Sequence, residues 1–315
     1  MKENTKLNKE GNTATPYDDV YRTLLNDCTS LIIPVVNEVF HKRHGANEEV
    51  TLLNNEFYIT SADGKQKEKI TDSNFIIGKT CYHFECQSTP DGTMILRVFE
   101  YGSQIAIRES SMGENVLTVK FPNAAVLYLR QTKNTPDEMT ICIKVPGDFC
   151  NYCVPVLKVQ QYSLEEIFEK KLFFLIPFHI FVYEKQFPEY EADEIKLKEL
   201  TRIYEDIVKE LNACAEKGII SEYEKGTVIT MSKKVLEALT EKYTKVQEGV
   251  TKIMGGQILD YEVKQSYNAG KKEARLQDAY NFFKNGVSFD VVRASITGLT
   301  DEELQAIYDE AVAKE

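Results

Sequence analysis

Apolar residues recur at helical spacing through Tyr17, Tyr21, Leu24, Leu25 and Cys28, behind the segment Thr15-Pro16-Tyr17-Asp18. A capping threonine, a proline at the first helical position and an acid in the first turn predict a helix opening at Pro16. A second apolar run, residues 31–40, continues the helical region past Pro34. After His44-Gly45-Ala46-Asn47 the pattern changes. Segments near 50–60, 69–78 and 80–87 are short, rich in β-branched and aromatic residues, and divided by Asp63-Gly64 and Gly78-Lys79. They read as strands joined in hairpins.

Thr89-Pro90-Asp91-Gly92 is a turn, and residues 94–108 return to helical spacing through Met94, Val98, Tyr101 and Ile105. Residues 124–129, 139–145 and 154–160 read as further strands. Ser163-Leu164-Glu165-Glu166 is a capping box, opening a helical stretch to about residue 185 with a break at Pro177. Beyond it the spacing stays helical to the end. The expected organisation is a disordered segment 1–14, an α/β domain over 15–185 and an all-helical region over 186–315.

Charge and composition narrow this. The chain has 315 residues, 43% of them hydrophobic, and carries 49 acids against 38 bases, a net charge of −11. An acidic surface argues against a coat protein for nucleic acid, whose affinity rests on neutralising phosphates. It leaves room for an enzyme with a local basic groove and bound metal ions. The most apolar stretch, residues 172–182, is too short to span a bilayer and holds Pro177 and His179. No membrane association is expected. The seven cysteines are an odd number in a chain large enough to fold without disulfides, which points to free thiols and a cytoplasmic location.

The chemistry lies in Cys81-Tyr82-His83-Phe84-Glu85-Cys86-Gln87. In a strand, side chains two apart share a face, so Tyr82, Phe84 and Cys86 point one way and His83, Glu85 and Gln87 the other. A glutamate inside a buried strand is costly unless it is paired or bound to a metal. Asp72 sits in the preceding apolar segment, Ile70-Thr71-Asp72-Ser73-Asn74-Phe75. If the two strands pair through the Gly78-Lys79 turn, Asp72 and Glu85 can share one face. Two carboxylates with a carbonyl and waters suit Mg²⁺ when a phosphate completes its shell. The plainer alternative is that such acids are solvated strand-end residues.

Asp72, twelve intervening residues, then Glu85-Cys86-Gln87, preceded by a helix and followed by a helix and a strand, resembles the PD-(D/E)XK nuclease fold. Further blocks resemble the PD-(D/E)XK nuclease family transposases, the group that includes the Rpn recombination-promoting nucleases. They are Tyr17-Asp18-Asp19-Val20-Tyr21-Arg22, Tyr82-His83-Phe84-Glu85-Cys86-Gln87-Ser88, Arg97-Val98-Phe99-Glu100-Tyr101, Val126-Leu127-Tyr128-Leu129-Arg130, Val154-Pro155-Val156-Leu157-Lys158-Val159-Gln160 and Leu175-Ile176-Pro177-Phe178. The resemblance implies an α/β restriction-endonuclease-like core with a mixed sheet, and Mg²⁺- or Mn²⁺-dependent hydrolysis of DNA phosphodiesters. It implies Asp72 and Glu85 as metal ligands and Gln87 where the general motif has lysine. Glutamine brings no charge, so another cation must supply it, and Gln87→Lys is expected to keep or raise activity. Asp19 matches an acid that the fold often carries on its first helix, although a first-turn acid is equally favoured by the helix dipole. Gln104, on the helix after the motif, is a candidate phosphate or DNA contact. His83 shares the face of Glu85 and reads as a hydrogen-bonded neighbour.

Cys150-Asn151-Tyr152-Cys153 has the gap of a zinc knuckle but no second pair nearby, so both read as buried free thiols. Near the end, residues 289–295, Gly298 and the capping box at Thr300 outline two helices around a turn. Asp301, Glu302 and Glu303 at the second helix's start would repel DNA, so a packing or self-association module is expected there. The alternative function is a non-catalytic binding or regulatory protein on the same fold, assembling through its helical tail.

Overall fold

The computed structural model describes residues 15–53, 56–60, 66–70, 73–90, 92–255, 261–296 and 299–312. The expected segment 1–14, Asp72 and Gly298 lie outside them. Helix α1 (Pro16–Asp27) begins where its capping residues place it. The Asp18 amide donates to the Thr15 hydroxyl, and the Asp18 carboxylate accepts from the Thr15 amide. A 3₁₀ turn leads into α2 (Ile32–Phe40). Pro34 falls in the first turn of α2, where no intrahelical N–H bond is forfeited.

Among the described residues ten strands follow in order with one long helix among them. They are β1 (Val50–Leu52), β2 (Glu56–Thr60), β3 (Gln66–Ile70), β4 (Ser73–Ile77), β5 (Thr80–Gln87), then α3 (Met94–Arg108), β6 (Ser111–Met112), β7 (Leu117–Thr118), β8 (Asn123–Tyr128), β9 (Glu138–Val145) and β10 (Asp148–Lys158). Six form a mixed sheet in the order β1-β4-β5-β8-β10-β9. The pairs β1/β4, β4/β5 and β10/β9 are antiparallel, while β5/β8 and β8/β10 are parallel. The protein is thus a mixed α/β fold. The β4–β5 hairpin turns at Gly78-Lys79, with Gly78 at φ 61°, a conformation glycine adopts without the strain a Cβ adds. A parallel pair needs a crossover, and α3 supplies it between β5 and β8.

The two sheet faces have different cover. On one, Phe75 stacks on Tyr82 and Phe84, and Phe40 of α2 meets both rings. On the other, Met94 and Val98 of α3 pack on Ala124, Val126, Tyr128 and Val154. The first half of β10, from Asp148, pairs with β9 alone. In that ribbon Cys150 and Cys153 are exposed, not buried as expected, and all seven cysteines are free. Three residues apart on a strand, the two thiols also face opposite sides.

After α4 (Leu164–Glu169), opened by the Ser163–Glu166 capping box, the chain runs as 3₁₀ helix over Phe173–Val182. Every residue from Phe173 to Phe181 is buried. Helices α5 (Phe187–Ala192), α6 (Glu194–Glu216), α7 (Glu222–Leu239) and α8 (Thr244–Met254) belong to the same compact unit as the sheet, which ends at Gln257. The expected division at 185/186 therefore falls inside that unit. Its ties are specific: the α7 capping residue Glu224 accepts from Ser30, and Lys234 of α7 pairs with Asp19 of α1.

The second unit, from Ile258, holds α9 (Tyr261–Lys284), α10 (Phe289–Ser295) and α11 (Asp301–Val312) around Phe283, Phe289 and Tyr308. Thr300 and Glu303 form the expected capping box. Asp301 pairs with Arg293 and Glu303 with Lys272, so two of the three acids at the start of α11 are partnered. Among the described residues no helix is long and apolar enough to cross a membrane.

Candidate functional site

Strand β5 sits between antiparallel β4 and parallel β8, with both faces covered. Its alternation places His83, Glu85 and Gln87 on the α3 side, where the His83 ring meets Tyr101 of α3 edge-on. Glu85 is 2% exposed and His83 is fully buried. Among the described residues His83 and Glu85 are two of the few polar side chains buried on this face, and they touch. His83 Nε2 lies 3.5 Å from Glu85 Oε1.

The proton on the imidazole can be placed. His83 Nδ1 is 2.9 Å from the Ser73 carbonyl, which can only accept, so Nδ1 carries the hydrogen. Burial pushes the ring's pKa down to about 4, against the raising effect of that bond, so the ring is neutral at pH 7. Nε2 then presents a lone pair, has no hydrogen-bond partner, and faces a carboxylate. Two acceptors turned toward each other in a dry site call for a proton or a cation between them.

A nitrogen and a carboxylate oxygen fit a shared divalent ion. Ligands each about 2.1 Å from one ion stand roughly 3 to 3.4 Å apart, close to the separation observed. Among the described residues no group of three or more His, Cys, Asp and Glu side chains is gathered to hold a metal. The expected second carboxylate, Asp72, lies outside them. It stands one peptide bond before Ser73, whose register partner Phe84 precedes Glu85.

Gln87 closes β5 and is half-buried. Its Oε1 accepts from Arg97 Nη2 at 2.6 Å, and the same nitrogen lies 3.7 Å from Met94 Sδ. Arg97 is the residue that spacing alone could not select. It sits one turn inside α3, which folds back over β5, and brings the charge that Gln87 lacks.

Two other sequence candidates are not part of this group. Asp19 is exposed and pairs with Lys234, as a first-turn acid on the outer side of α1. Gln104 is half-buried seven residues beyond Arg97, about 10 Å further along α3, past the Tyr101 that covers His83. It lies toward the opposite end of β5 from Gln87. Helix α1 meets this part of the sheet from the opposite, aromatic face, where the Tyr21 hydroxyl is 2.9 Å from Ser73 Oγ and the Ser73 hydroxyl in turn donates to the Phe84 carbonyl. No family model, curated protein or solved structure matches the chain.

Proposed function

We propose that this chain is a Mg²⁺- or Mn²⁺-dependent DNA endonuclease built on a PD-(D/E)XK nuclease-like core of the recombination-promoting transposase type. The observation that carries the reading is the buried Glu85–His83 pair, an acid held in the dark of the fold against an unprotonated nitrogen. Two acceptor atoms that face each other in a buried site repel, and a cation bound between them would relieve that cost. The order β4-β5-α3-β8, an antiparallel hairpin followed by a helical crossover to a parallel strand, agrees with that core.

In this reading Glu85 and Asp72 are the carboxylate ligands and His83 offers a nitrogen beside them. A divalent ion there supplies a polarised phosphate and a bound water of lowered pKa. Gln87 orients the attacking water through its amide, and Arg97 holds that amide and stabilises charge on the phosphoryl oxygens, the task a motif lysine performs. DNA is the substrate, and its grip is expected to use few phosphate contacts because the chain is acidic overall.

Plasmid nicking by wild type and Glu85→Gln, with and without Mg²⁺ or Mn²⁺, tests it. Metal-dependent nicking that the substitution abolishes is expected. Metal-independent cleavage, or wild-type activity in Glu85→Gln, overturns the mechanism. No cleavage together with no calorimetric binding of either ion favours the non-catalytic assembly protein.

A further inference from the structure

Three lysines far apart in the chain meet at one cleft. Lys133, Lys158 and Lys185 line a polar cavity of about 570 Å³ with Gln131, Thr132 and Gln160, beyond the C-terminal ends of the parallel strands β8 and β10. In α/β sheets that edge is where ligands are generally received. Asp137, the acid in the lining, pairs with Lys158, so three cations against one anion leave the cleft positive within a chain of net charge −11.

The cleft is built rather than incidental. Lys158 is 5% exposed, and a lysine is rarely so buried without a task or a partner. Its ammonium donates to the Thr135 carbonyl at 3.2 Å and to Asp137 Oδ1 at 2.5 Å. An ammonium has three donors, so the third remains for the cleft. Gln160 fixes the floor, its Oε1 accepting from the Gln131 backbone N–H at 2.8 Å and its Nε2 donating to the Phe181 carbonyl at 2.7 Å. Gln131 Oε1 is buried without a hydrogen-bond partner. A phosphate oxygen cannot serve that acceptor, whereas the amino group of a base can.

Register ties the cleft to the candidate site. Gln87 pairs with Tyr128, and Tyr128 with Lys158, so the three stand in one row across β5, β8 and β10. Two strand spacings make that row about 10 Å long. Successive phosphates of one strand stand further apart than their axial rise of about 3.4 Å, because the backbone winds around the axis, so the distance corresponds to roughly one or two nucleotides. Between the two ends, Arg130 lies with Nη1 3.4 Å from the Ser88 carbonyl, held by Glu184 and stacked on Phe181.

We infer that this cleft is a second binding site, one that takes the phosphodiester backbone of a nucleic-acid strand about one or two nucleotides from the position beside Gln87. The inference deepens the nuclease reading and shares its substrate, but it concerns binding and needs no metal. The test is fluorescence anisotropy of a labelled 20-nucleotide DNA strand with the full chain in EDTA, at several salt concentrations. Wild type is compared with Lys133→Gln/Lys185→Gln, two exposed positions whose change leaves the core intact.

The double variant is expected to bind roughly tenfold more weakly near 0.1 M salt, with a log–log salt slope shallower by about 1.4. Unchanged affinity and slope overturn the proposal. So does inorganic pyrophosphate that binds through these lysines while the DNA strand does not, which would make the cleft a small-anion site. Lysine-dependent binding without cleavage in any metal leaves the cleft standing and sinks the nuclease. Cleavage with binding indifferent to the lysines does the reverse.

Discussion

The two faces of β5 are buried to nearly the same degree and are built for different purposes. Tyr82, Phe84 and Cys86 are at most 3% exposed, and the Tyr82 and Phe84 rings meet those of Phe75 and Phe40. His83 and Glu85, on the other face, are no more exposed and meet each other. The aromatic face gains from every ångström of water it excludes. The polar face loses solvation for an imidazole and a carboxyl without a full set of partners for the ring. Burial alone therefore does not separate structure from function; what distinguishes the faces is the sign of the solvation term. A substitution on each should move different observables.

The largest expected effect is on activity. Glu85→Gln removes the anionic ligand and should lower metal-dependent nicking by at least about 100-fold, on the scale of losing a principal charge-stabilising group. Its metal-free melting temperature should hold or rise. A glutamine amide can donate to His83 Nε2, which the carboxylate cannot. A variant that both melts lower and keeps its activity would make Glu85 a structural acid and erase the contrast between the faces.

Phe84→Ala is the opposite probe. It deletes a fully packed ring beside Phe40 and Phe75 and should cost about 3 to 5 kcal/mol in urea unfolding. Activity per folded molecule should change far less than in Glu85→Gln. If the two variants lost activity alike at equal folded fraction, the aromatic face would have to be counted with the site.

Acid should expose another buried imidazole. Burial pushes the pKa of His179, in the 3₁₀ run, down to about 4, against the opposing effect of a bond to the Tyr162 backbone. The unfolded chain takes up the proton near pH 6.5, so between pH 6.5 and 4 the unfolded state binds more protons. Stability conferred by the neutral ring is complete above that window and is lost as pH falls through it. The loss should approach roughly 2 to 3 kcal/mol by pH 4. In His179→Phe that part of the decline should vanish in urea titrations at pH 7 and pH 4.5. A decline of unchanged size would assign acid lability to other groups, the polar face of β5 among them.

Much of this was legible in the chain, because local rules are written in adjacent residues. Thr15-Pro16 and Ser163-x-x-Glu166 mark helix starts that the structure keeps, and the period of two in residues 81–87 sorts the faces of β5 correctly. What stayed hidden depends on distant partners or on residues without contrast. The run Phe173–Val182 has no polar side, so no period could reveal a 3₁₀ path. Helices α5–α8 look like a separate acidic region, yet their apolar stripes, such as Leu200, Tyr204, Ile207 and Leu211, are buried in the sheet-bearing unit. Lys133, Lys158 and Lys185 form no linear motif at all. Arg97 was visible within a block of resemblance, but its partner ten residues back became evident only once α3 folded over β5.

That last contact reverses one expectation and gives the finest test. Read from the motif, Gln87→Lys restores the general pattern and should keep or raise activity. With Arg97 Nη2 2.6 Å from Gln87 Oε1, the new ammonium would meet a guanidinium and displace it. Both positions are half-buried, so solvent screens the repulsion to about 1 kcal/mol of destabilisation. Activity should fall a few-fold, because the cation arrives while the arginine's hold on the amide is lost. Arg97→Gln alone should also fall a few-fold, having kept the amide and lost the charge. The double variant Gln87→Lys/Arg97→Gln exchanges the two groups in place. It should recover most of the stability and part of the nicking rate, giving a coupling of about 1 kcal/mol in the cycle. Additive losses would mean that Arg97 and Gln87 act independently, and the charge expected at the end of β5 would have to come from elsewhere.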